Sequence, residues 1–135
     1  MIRLSTTLNA RVLRHDRPIG LTTLSFEGGE LRVPLIEGPP GSLVAVEIDA
    51  SDVSIALSRP MDVSITNRLP GTIAEVEYLD APHARVTLDL GASRLHALVT
   101  WESVQRLALS PGVRAWAMVK TVAISKMNVS PDQPA

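Results

Sequence analysis

No cysteine occurs anywhere in the 135-residue sequence, which excludes disulfides, thiol nucleophiles and thiolate metal sites together. Its three histidines, His15, His83 and His96, are scattered without ligand spacing, so no metal cation site is expected. Aromatics are down to Phe26, Tyr78, Trp101 and Trp116, too few for a base-stacking surface. Charge of one sign is missing too: 13 Lys and Arg against 14 Asp and Glu leave −1, no footprint for nucleic acid and no basic face for a membrane. No apolar run approaches the ~20 residues of a membrane span, and Met1–Ser5 does not form a signal peptide. A soluble, cytoplasmic protein that inserts in no membrane is expected. Gly38-Pro39-Pro40-Gly41 lacks the lysine and helix start of a phosphate loop, and no Gly-x-Ser-x-Gly elbow occurs. Paired carboxylates such as Asp49 and Asp52, or Glu75 and Glu77, read as solvent faces of strands. The chain is therefore read as a non-enzyme that binds no nucleotide.

What is present is period-2 alternation. Val86, Leu88 and Leu90 alternate with Arg85, Thr87 and Asp89, and Leu95, Ala97 and Val99 repeat the pattern after a Gly91-Ala92-Ser93 turn. Similar runs predict strands over Leu8–Leu13, Leu21–Phe26, Glu30–Val33, Leu43–Ile48, Val53–Leu57, Thr72–Glu77, Arg114–Val119 and Val122–Ser125. Only Trp101–Leu107 has helical spacing, with Thr100 as its cap. A weak internal repeat organises the strands. Leu24, Leu31 and Leu35 overlay Leu88, Leu95 and Val99 at an offset of 64, and 40–48 echoes 111–119 at an offset of 71. The reading is all-β: two tandem five-stranded OB-like small barrels, with one short helix in the second. The first, degenerate unit covers 1–60 and the second 61–127, and the polar, Pro-rich 128–135 is expected to be a flexible tail. Units of this size have little core alone, so packing together and pairing into a homodimer or higher homo-oligomer are expected.

Three short pieces carry polar chemistry. Lys120, one of only two lysines, ends a strand beside Thr121. An ammonium beside hydroxyls and backbone N–H groups suits a tetrahedral oxyanion, although a strand-end lysine reaching for solvent is the simpler account. Ser64 and Thr66 share one face of an extended segment, with Asn67-Arg68 facing a turn at Pro70-Gly71. Thr100 and Ser103 open the helix and can serve merely as its cap.

In this order, Ser64-Ile65-Thr66-Asn67-Arg68-Leu69-Pro70-Gly71, Thr100-Trp101-Glu102-Ser103 and Val119-Lys120-Thr121-Val122 resemble the molybdate-binding Mop, or molbindin-like, domain of the TOBE class. That resemblance is strongest over 61–126. The earlier half is similar to the segment preceding that domain in the ATP-binding subunit of molybdate ABC transporters. The resemblance implies an oxyanion-binding regulatory domain that holds molybdate or tungstate between subunits. Its Ser-x-x-Asn segment carries over to Ser64 and Asn67, with Thr66 where many members have Arg. Its helix-start hydroxyls carry over to Thr100 and Ser103, and its Lys–hydroxyl pair to Lys120 and Thr121. It also implies association with an ATPase domain and with the membrane subunits of a transporter. Asp49 occupies the repeat position of Lys120, so no site is expected in the first unit. A ligand-free structural dimerisation domain and a free-standing molybdate storage protein are the alternatives. An OB-like nucleic-acid binder is the weakest reading, given the charge and the sparse aromatics.

Overall fold

The computed structural model describes residues 4–130. Its first half runs β1 (Ser5–Asp16), β2 (Leu21–Phe26), β3 (Gly29–Pro34), β4 (Leu43–Asp49), a 3-10 turn over Ala50–Asp52 and β5 (Val53–Ala56). The second half repeats that order as β6 (Asn67–Tyr78), β7 (His83–Asp89), β8 (Arg94–Thr100), the helix α1 (Trp101–Arg106), β9 (Arg114–Val119), a 3-10 turn over Thr121–Ala123 and β10 (Lys126–Val129). All neighbouring strands are antiparallel, as expected of alternating sequence with one face buried. The architecture is the expected pair of five-stranded OB-like barrels in tandem, with one short helix, in the second.

The barrels exchange their last strands. The first sheet has the order β10-β4-β1-β2-β3 and the second β5-β9-β6-β7-β8. Val53 in β5 pairs with Val119 in β9, and Lys126 in β10 pairs with Glu47 in β4. Hydrogen bonding thus crosses the 60/61 boundary in both directions. In the second barrel β8 lies against β5 and the Ala50–Asp52 turn, and in the first β3 meets the Thr121–Ala123 turn. One continuous core, including Leu8, Val12, Leu24 and Val46 with Ile73, Val86, Leu95 and Val119, fills both barrels. Pooling two small cores this way removes more apolar surface from water than either barrel could alone.

The repeat holds in the backbone. Long strands β1 and β6 carry a register shift at Val12/Arg14 and at Ile73/Glu75, the same offset of 61 (73 − 12, 75 − 14). Such bulges bend a strand so that it can serve both walls of a small barrel.

Three local expectations need correction. Val122–Ser125 is not a strand: Ala123 N donates to Lys120 O and Ile124 N to Thr121 O, closing a turn, and pairing begins only at Lys126. Asn67-Arg68 and Pro70-Gly71 make no turn but run within β6. Gly71 is required by close approach, since a Cβ there would stand 2.7 Å from Asp89 O. Pro70 pairs with Trp116 ahead of the first β6–β7 pair, Thr72 with Asp89, where a missing N–H costs little. The tail expected from 128 is not loose over its first three residues: Asn128 and Val129 pair with Ala45 and Val44, and Ser130 N donates to Leu43 O. Residues 131–135 of that expected tail lie outside the described residues.

Candidate functional site

Asn67 opens β6 and is 3% exposed. Its Oδ1 accepts from Arg32 N at 2.7 Å, while Nδ2 donates to Arg32 O at 2.9 Å and to Thr121 Oγ1 at 3.3 Å. The Thr121 hydroxyl donates to the same Arg32 carbonyl at 2.9 Å. Two residues expected to face an oxyanion therefore grip the backbone of β3 in the other barrel. The repeat explains the arrangement. Thr6, the counterpart of Asn67 (67 − 6 = 61), accepts through Oγ1 from His96 N at 3.1 Å, and His96 is the counterpart of Arg32 (96 − 32 = 64). Each barrel is clamped to the other by a side chain at the start of its long strand. Burial lowers the pKa of His96, and Arg85 pushes it further the same way. Its Nδ1 lies 3.0 Å from Thr87 Oγ1.

Lys120 follows β9 at the N-terminal edge of the Thr121–Ala123 turn, in extended conformation (φ −65°, ψ 130°). Asp49 holds the matching place in the first half with nearly the same backbone (φ −70°, ψ 135°), as the repeat predicts. Their electrostatics differ. Asp49 is met by Lys126 at 3.3 Å, and Lys126 also lies 3.7 Å from Glu47. Lys120 is exposed and, among the described residues, has no carboxylate within ion-pair distance. It lines a cleft of about 240 Å³ with Ser51, Asp52, Ser54, Ile65, Met118 and Ala123. Ser54 pairs with Met118 across β5 and β9, which puts both side chains on the face that Lys120 continues. Ser64 and Thr66 are exposed on the segment leading into β6, on either side of the cleft residue Ile65.

Thr100 and Ser103 sit elsewhere. Thr100 caps α1: its Oγ1 accepts from Ser103 N and donates to Ser103 Oγ, both at 3.0 Å. Thr100 pairs with His83, whose carbonyl accepts from Leu79 N just beyond the end of β6. Asn67 begins that 12-residue strand, so the two groups belong to its opposite ends, about 35 Å apart along the strand. Beside Thr100, the Trp101 indole N–H is shared between the carbonyls of Leu79 and His83 at 3.1 and 2.7 Å, and its ring meets Tyr78 edge-on at 5.3 Å.

Sequence reasoning put into one site what the structure divides: Lys120, Thr121, Asn67 and the Ser64–Thr66 segment lie in one region, and the helix-start hydroxyls of Thr100 and Ser103 in another. It missed Ser51, Asp52 and Ser54, which only the strand exchange carries to Lys120. The 71-residue offset was their one signal: it aligns the turn after Asp49 with the turn after Lys120. Among the described residues no group of three or more His, Asp or Glu could hold a metal ion, and no helix is long and apolar enough to cross a membrane.

Residues 63–125 match the TOBE domain model. The sequence is 38% identical over 127 residues to the molybdenum import ATP-binding protein ModC of Mesorhizobium japonicum, covering 94% of this chain and 34% of that protein. It is 41% identical over 114 residues to ModC 1 of Azotobacter vinelandii, covering 84% and 32%. The chain thus spans about a third of the length of these relatives. Its fold is shared with the cytoplasmic molybdate-binding protein ModG in a molybdate-bound form, at a TM-score of 0.79 and 23% identity, over 93% of this chain and 96% of that one.

Proposed function

Residues 63–125 are a TOBE domain, and nearly the whole chain is related in sequence to about a third of the molybdenum import ATP-binding protein ModC; on that footing we propose that it binds molybdate or tungstate at a site shared between two copies of itself. One observation carries the reading: of two lysines, Lys126 is neutralised by Asp49 and Glu47, while Lys120 stands without an ion pair among the described residues in a cleft with hydroxyls. A free ammonium edged by O–H donors matches a tetrahedral dianion, which presents four acceptor oxygens and needs its charge offset. Ser64 and Thr66 add hydroxyls from the adjoining segment. Thr100 and Ser103 reach the ion from a second copy, because in one chain they lie at the far end of β6. Asn67 and Thr121 act as positioning residues: by gripping Arg32 they hold the Lys120 turn in place. With Thr66 where a second cation would help, Lys120 is the main source of positive charge. The equivalent position in the first barrel carries Asp49, so one site per chain is expected, which disfavours a storage role.

Within an importer the bound oxyanion would bias the cytoplasmic ATPase and its membrane partners between two arrangements by stabilising one dimer geometry. A second reading, a ligand-free dimerisation domain, is favoured by Asn67 and Thr121 finding all their partners inside the protein. Isothermal titration with molybdate, and sulfate as control, separates the two. Saturable molybdate binding that disappears in Lys120→Ala supports the sensor. A flat trace from a dimeric parent supports the structural domain.

A further inference from the structure

The Lys120 cleft has a wall that belongs to the other half of the chain. Ser51 and Asp52 lie in the turn before β5, Ser54 lies in β5, and β5 reaches the second sheet only through the strand exchange. All three are exposed, and none of their side chains takes part in a hydrogen bond or ion pair among the described residues. Register sets their relation to the lysine. Val53 pairs with Val119, so Asp52 and Lys120 are the next residues out on neighbouring strands, and Ser54 stands opposite Met118 on the same face. Two free hydroxyls and one carboxylate therefore border a lone ammonium. The first barrel offers the contrast. By the 71-residue offset its matching turn presents Val122 and Ala123 where the second barrel has Ser51 and Asp52, and its position matching Lys120 is an aspartate already held by Lys126.

Resting on the oxyanion reading above, we propose that this exchanged segment completes the site: Ser51 and Ser54 donate hydrogen bonds to the bound oxyanion, and Asp52 lowers its affinity by opposing the second negative charge. The hydroxyls restore part of the donor set that Thr66 cannot supply as a cation. Asp52 sits where a dianion is repelled about twice as strongly as a monoanion, so it biases the cleft against high charge and makes the affinity depend on salt.

The test is calorimetric titration of the full chain with molybdate at low and moderate salt. Parent, Ser51→Ala/Ser54→Ala, Asp52→Asn and Lys120→Ala are compared, each first checked by circular dichroism. Loss of two donors to a charged ligand is expected to weaken binding about tenfold or more. Asp52→Asn is expected to tighten it about three- to tenfold at low salt, with the gain shrinking as salt rises. If Lys120→Ala loses binding while the double serine variant and Asp52→Asn both match the parent, the exchanged segment is no part of the site and this inference is overturned, with the oxyanion reading intact. If Lys120→Ala binds like the parent, or the parent itself is silent, the oxyanion reading fails and the inference with it.

Discussion

Truncating Asn67 tests the clamp between the barrels directly. In Asn67→Ala, the Arg32 N–H loses its acceptor at 2.7 Å, and Arg32 O loses one of two donors but keeps Thr121 at 2.9 Å. Leaving a buried N–H without a partner costs about 1–3 kcal/mol, and each neutral bond lost adds about 1 kcal/mol. The expected destabilisation is about 2–4 kcal/mol. For a chain of 135 residues unfolding as one unit, that lowers Tm by about 8–15 °C. Thr121→Val removes one of two donors to the same carbonyl and should cost only about 1 kcal/mol. In the double variant Arg32 loses every one of these side-chain partners, so the loss should exceed the sum of the singles. Thermal and urea denaturation of the four proteins, without oxyanion, measures all of this. An Asn67→Ala protein melting within about 2 °C of the parent, or strict additivity in the double variant, would refute the clamp and return Asn67 to the role of a ligand.

Three further outcomes are expected. His96 has a folded pKa below its unfolded value, so its contribution is complete above the unfolded pKa near 6.5 and is lost as pH falls toward the folded pKa; Tm measured from pH 7.5 to 5 should fall more steeply in the parent than in His96→Gln. Gly71→Ala sets a methyl group 2.7 Å from Asp89 O and 2.9 Å from Leu90 Cδ2, so β6 and β7 must separate, and denaturant unfolding should show a loss of about 1–3 kcal/mol. Lys126→Ala breaks only exposed pairs with Asp49 and Glu47, so its cost should stay below about 1 kcal/mol and vanish in 0.5 M salt, seen as an unchanged urea midpoint.

Much of this protein is legible in the chain because its information is local. Alternation such as Val44, Val46 and Ile48 on one side of β4 needs only a period of two to be read, and the structure buries all three. Thr100 is identifiable as a cap from its place before a helical run, and its hydroxyl accepts from Ser103 N as capping requires. The repeat predicts that Asp49 and Lys120 occupy equivalent bends, and they do. Pro70-Gly71 misled because that pair usually marks a turn, whereas here Gly71 answers a backbone approaching from β7, a fact of pairing rather than of sequence.

What the sequence by itself determined is therefore the all-β class, the two repeats, the helix in the second and the residue types able to meet an oxyanion. The tertiary structure alone decided that β5 and β10 trade places, that Asn67 and Thr121 spend their hydrogen bonds on Arg32, and that Ser51, Asp52 and Ser54 stand beside Lys120. The physical reason is that strand pairing is chosen by the burial of a shared core and by satisfaction of backbone groups far apart in the chain. An asparagine looks the same in sequence whether it awaits a ligand or already holds the neighbouring barrel.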